Sequence, residues 1–149
     1  MRFMHEAMRL TILILLAFLS ALEANAEISI ELPKDLKLLG SVIYREDEKV
    51  GEIASKSIWP YSNGNEFVTA YQAGFADDPG TTKFLSSGNN NGIYWVCRKA
   101  EYWNGKGNSG LWYVRRFWVN GPIVTFYSHE SCNEKFDKIL EYAATVKET

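Results

Sequence analysis

The sequence predicts an α+β domain in which an antiparallel β-sheet meander packs against a C-terminal amphipathic helix, with one disulfide. Three observations predict it. The last third of the chain carries long aromatic and β-branched runs broken by turn residues. Asn120-Gly121 stands between two of those runs. Phe136, Ile139, Leu140, Ala143 and Val146 then recur at helical spacing.

The N-terminus is read first as an export signal. Arg2 and Arg9 supply positive charge, Thr11–Leu22 is an apolar run, and Ala24-Asn25-Ala26 is a small-x-small end before Glu27. Residues 1–26 are therefore expected to be a cleaved signal peptide and 27–149 a single α+β domain. Met8 also begins a complete signal. The apolar run is shorter than the about 20 residues that a spanning helix needs, so no stable membrane insertion is expected after cleavage. The expected destination is the periplasm, otherwise secretion.

The elements follow in order. Ile28–Leu32 alternates apolar and polar and reads as a strand that Pro33 stops. Leu36–Tyr44 reads as a second strand. Arg45–Lys49 is a charged five-residue hairpin loop, and Val50–Ala54 returns from it. Residues 55–92 are the least legible. Trp59 is extended because it precedes Pro60, Ser62–Asn65 is a turn, and Phe67–Phe75 fits a strand or a short helix. Asp77-Asp78-Pro79-Gly80 is a turn, and Ser86–Gly92 is expected to be a surface loop. Ile93–Trp103 is a long strand and Asn104–Gly110 a flexible connection. Leu111–Val119 and Pro122–Ser128 form a hairpin about Asn120-Gly121. Ser131-Cys132-Asn133-Glu134 matches a capping box that opens the last helix.

The mature part contains two cysteines, Cys97 and Cys132. In an exported chain an even count favours a bridge, here pinning the helix start to the middle of a strand. No C-x-x-C redox motif is present.

Composition narrows the function. Arg2 and Arg9 are balanced by Glu6 and Glu23, so the mature part keeps the net charge of −2. That balance argues against gripping nucleic acid by charge. All five Trp and all eight Tyr follow residue 26. The Asn-Gly register places Trp112, Val114, Arg116, Trp118, Ile123, Thr125 and Tyr127 on one face of the hairpin. Leu111, Tyr113, Arg115, Phe117, Val124, Phe126 and Ser128 share the other. One helix covers one face, so either the middle segment covers the second or that face binds something. Trp112, Arg116, Trp118 and Tyr127 are the candidate binding residues, since Trp, Tyr and Arg dominate binding hot spots.

Catalytic signals are weak. His129 is the only histidine of the mature part, so a zinc site would need mostly carboxylates, and no metal or cofactor is expected. His129 as a general base lacks a recognisable nucleophile and orienting acid. Asp77-Asp78 and Glu46-Asp47-Glu48 read as turn residues, and Gly105-Lys106-Gly107 lacks phosphate-loop spacing. Arg98, Lys99, Arg115 and Arg116 are divided between faces by alternation. The expected function is a non-catalytic binding protein acting through protein–protein contact, of inhibitor, immunity or envelope-accessory type. A small-ligand or glycan-binding domain and a small hydrolase are the alternatives.

Overall fold

The structure is a computed structural model that describes residues 27–73, 81–103 and 109–149. The expected signal segment, the expected turn Asp77–Gly80 and most of the expected connection Asn104–Gly110, with Gly105-Lys106-Gly107, lie outside the described residues.

The described chain runs β1 (Ile28–Ser29), β2 (Lys37–Leu39), β3 (Val42–Arg45), β4 (Glu48–Ala54), α1 (Gly64–Gln72) and β5 (Thr81–Asn90). It continues through β6 (Ile93–Trp103), β7 (Ser109–Trp118), β8 (Ile123–Ser128), α2 (Phe136–Ala144) and β9 (Lys147–Glu148). β2 to β8 form one seven-stranded sheet in the order β2-β3-β4-β8-β7-β6-β5. It is built from two meanders, β2-β3-β4 and β5-β6-β7-β8, whose last strands pair antiparallel from Gly51↔Phe126 to Ala54↔Ile123. The segment from Ser55 through α1 carries the chain between them.

The predicted first strand shortens to β1, which leaves the main sheet and pairs with β9 through Ile28↔Glu148 and Ser29↔Lys147. Ile30 and Leu32 instead pack against the core. The expected strand over 36–44 breaks into β2 and β3, because Gly40 adopts φ +63° and folds Leu39 back onto Val42. The five-residue loop at Arg45–Lys49 is also tighter than expected. Arg45 pairs with Glu48, Glu46 takes the left-handed conformation at φ 54°, and only Glu46-Asp47 turns.

Residues 62–65 are not a simple turn. The Asn63 side chain accepts from the Glu66 amide at 2.9 Å and caps α1, which settles the strand-or-helix choice for the following residues as helix. Gly64 opens that helix against β6, where a Cβ would fall inside the Tyr94 ring. The expected surface loop Ser86–Gly92 is mostly the end of β5, which pairs with β6 through to Asn90↔Ile93. Asn91 and Gly92 both adopt positive φ and make a second two-residue Asn-Gly hairpin.

The β7–β8 hairpin has the expected register, Trp118↔Ile123, Arg116↔Thr125 and Val114↔Tyr127. Its Phe117 face meets α2. There Ile43, Ile53, Phe117, Val124, Phe126, Ala143 and Val146 form the larger core, with Phe136, Ile139 and Leu140 packed on it. The opposite face meets α1, where Phe67 and Tyr71 pack against Val96 and Ile123. The sheet therefore lies between two helices, and the middle segment supplies the second cover.

The disulfide joins Cys97 of β6 to Cys132, with a Cα–Cα distance of 6.1 Å. The capping box does not form. α2 begins only at Phe136, and its N-cap Lys135 is left-handed with no side-chain cap bond. Buried Arg115 explains the delay. Its guanidinium donates to the carbonyls of Ser131 at 3.0 Å and Glu134 at 2.9 Å, holding residues 131–134 as a turn over β7. Burial lowers the Arg115 pKa and the charges of Glu130 and Glu134 oppose that shift.

Candidate functional site

The residues singled out in the sequence share a sheet face but not one environment. Arg116 is buried, with its guanidinium 4.9 Å from the centre of the Tyr71 ring of α1. Trp118 meets Tyr94 edge-on at 6.0 Å and packs against the α1 core cluster. Trp112 is half-buried and lies against the exposed His129, ring centres 3.8 Å apart. His129 Nδ1 is 2.9 Å from the Leu111 carbonyl. A ring stacked on tryptophan and tied to backbone accounts for this histidine structurally.

Tyr127 belongs to a polar group with β4. Its hydroxyl donates to Glu52 Oε1 at 2.8 Å, and Lys49 Nζ donates to Glu52 Oε2 at 3.0 Å. Burial acts to raise the Glu52 pKa, but the Tyr127 and Lys49 hydrogen bonds and the Lys49 and Arg116 charges outweigh it and hold the carboxyl below its usual range. A depressed folded-state pKa stabilises the fold above the unfolded carboxylate pKa, and that stabilisation is lost as pH falls through the folded value. Tyr127→Phe should cost about 1 kcal/mol at neutral pH, a modest figure for a partly exposed hydrogen bond. It should also flatten the loss of stability on acidification, as urea unfolding across the acidic range would reveal. An unchanged acid profile would mean that this bond does not set the Glu52 pKa.

The exposed large apolar side chains among the described residues lie elsewhere: Leu39 in β2, Leu85 in β5, and the adjoining pair Ile58 and Trp59. Ile58 is 62% exposed and Trp59 46% exposed, in the segment that leads into α1. The Ser55 carbonyl accepts from the Ile58 amide at 3.0 Å and the Trp59 carbonyl from the Tyr61 amide at 3.0 Å, so the loop is turned on itself rather than extended throughout. Pro60 then leads to Tyr61, which packs against Phe67 at 5.9 Å and Tyr71 at 6.2 Å. Tyr61 also lines an open groove of ≈ 530 Å³ with Asn65, Glu66, Thr69, Ala70 and Ala73 of the α1 segment. Glu66 Oε2 accepts from the Ser62 amide at 2.8 Å, fixing the carboxylate at the mouth of the helix. Burial, then the Glu66 charge, raises the Tyr61 pKa against a smaller opposing effect of Arg116, so the groove wall stays a neutral phenol.

Sequence reasoning missed Ile58 and Trp59. The available signal was a pair of large apolar residues before a proline in a stretch with no β or helical period, where burial has no pattern to rest on.

Among the described residues, no group of three or more His, Cys, Asp and Glu side chains is placed to hold a metal. No described helix is long and apolar enough to cross a membrane. Compared with known proteins, the chain matches no family model and no curated protein.

Proposed function

We propose that residues 27–149 act as a small exported, non-catalytic binding protein, of inhibitor, immunity or envelope-accessory type. The partner is another protein, and the contact is centred on Trp59 and Ile58 beside the α1 groove. The observation that carries this reading is a large indole and an adjoining isoleucine left in solvent, where the other aromatic side chains whose burial is described are buried wholly or in part. An exposed tryptophan two residues before Tyr61, which lines the open groove, is side-chain chemistry that suits a binding hot spot. The Cys97–Cys132 bridge supports an oxidising compartment such as the periplasm. Arg116 and Trp118 enter this reading as the floor on which α1 rests, and Trp112 and Tyr127 as a flank of the same sheet face.

The experiment is affinity capture from the native envelope with the wild-type chain and Trp59→Ala side by side. Trp59→Ala should leave the unfolding free energy within about 0.5 kcal/mol, as surface changes do. It should weaken the captured protein's binding by about 2 kcal/mol or more, the hot-spot range. Equal capture by both chains would remove Trp59 from the interface. Recovery of a glycan in place of a protein would favour the ligand-binding alternative, for which a tryptophan platform is equally suited.

A further inference from the structure

We infer that Asn120 is a site of spontaneous deamidation, selected by the hydrogen bonding of its turn over the other described Asn-Gly pairs. The chain contains four such pairs, at 63–64, 91–92, 104–105 and 120–121. The pair at 104–105 lies outside the described residues. At an Asn-Gly step the glycine nitrogen attacks the asparagine Cγ. A new C–N bond closes a succinimide ring, the Cγ–Nδ2 bond breaks, and the side-chain nitrogen takes up the glycine amide proton and leaves as ammonia. Water then opens the ring at either carbonyl, giving aspartate or isoaspartate. The chain gains one negative charge and no oxidant or reductant is needed.

The reaction needs a free glycine N–H and an asparagine side chain able to reach it. At Asn63 the side chain is held as the cap of α1 by the Glu66 amide at 2.9 Å, and Gly64 is locked against Tyr94. At Asn91 the nucleophile is engaged, because the Gly92 N–H donates to Asn89 Oδ1 at 2.8 Å. At Asn120 neither hydrogen bond is present, and buried Gly121 rests only against the flexible stem of Lys56. Asn120 is exposed at φ 58°, and its side chain and the Gly121 N–H have no hydrogen-bond partner among the described residues. The turn is closed instead by the Val119 amide donating to the Pro122 carbonyl at 3.0 Å. The new carboxylate would form near Lys56, whose alkyl stem lies against Gly121.

The two products differ in consequence. Aspartate tolerates the left-handed conformation of a two-residue turn and keeps the register. Isoaspartate inserts a methylene into the backbone of the turn that sets Trp118 against Ile123.

The test is peptide mapping by mass spectrometry of the folded protein during incubation at mildly alkaline pH, with each Asn-Gly peptide followed separately and a denatured sample as reference. Asn120 should convert about tenfold faster than Asn91, the factor set by one hydrogen bond of about 1.4 kcal/mol. Asn89→Ala should raise the Asn91 rate by a similar factor and leave the Asn120 rate in the same sample unchanged. Equal rates at Asn91 and Asn120 in the folded protein, an unreacted Asn120 when the denatured reference has converted, or an Asn91 rate indifferent to Asn89→Ala would each overturn the inference.

Discussion

Phe117→Ala is expected to destabilise the fold by about 4 kcal/mol, within the range of core aromatic truncations. Phe117 is fully buried and lies between the sheet and α2. Its ring is 6.0 Å from Phe136 of α2 and 6.5 Å from Phe126 of the paired strand. Truncation removes contacts to two elements at once, and the backbone ladders to β6 and β8 prevent the site from collapsing around the void. Trp112→Ala, on the opposite face and half-buried against His129, should cost much less. Urea unfolding gives both numbers, and an unchanged m-value shows that the native state alone was weakened. A loss below about 1.5 kcal/mol for Phe117→Ala, the size of a mild core swap, would mean that α2 repacks freely.

The bridge is expected to contribute a similar amount. Cys97 and Cys132 are separated by 35 residues, for which the chain-entropy account gives about 4 kcal/mol. Cys97→Ser and Cys132→Ser should therefore destabilise by comparable amounts. The double mutant should fall close to either single, because both changes remove the same cross-link. Both positions are buried, so serine also buries a hydroxyl, and an alanine pair separates that penalty from loss of the bridge. A double mutant that loses the sum of the singles would mean that the two sulfurs act independently. Arg115 limits the structural damage. Its hydrogen bonds to the carbonyls of Ser131 and Glu134 hold the same turn to β7 when the covalent tie is cut.

What was legible in the sequence tracks how local the deciding interaction is. Asn120-Gly121 set the β7–β8 register because two residues in positive φ fix a hairpin by themselves. The stripe from Phe136 to Val146 identified α2 because its burial follows one helical period. The β5–β6 hairpin carried an equal signal in Asn91-Gly92, but Ser86–Asn90 holds no large apolar residue, so the segment read as loop. Its pairing is imposed by β6 rather than by its own side chains. The delayed start of α2 was illegible for a related reason. The capping pattern Ser131–Glu134 is local, and a buried guanidinium sixteen residues upstream of Ser131 outcompetes it. The candidate site divided in the same way. Alternation assigned Trp112, Arg116, Trp118 and Tyr127 to one face. It could not indicate that α1, reached through an aperiodic loop, would cover Arg116 and leave Trp59 outside.

Hydrogen–deuterium exchange of residues 27–149, alone and bound to the protein they capture, tests the proposed binding surface most directly. Partner contact at Trp59 should slow exchange across Ser55–Ala73, the segment that holds the exposed loop and the groove wall. Exchange at the Glu46-Asp47 turn, at the opposite end of β4 from that loop, should stay unchanged. Protection confined to Ser86–Gly92 or to β7, with Ser55–Ala73 exchanging as in the free chain, would contradict the account.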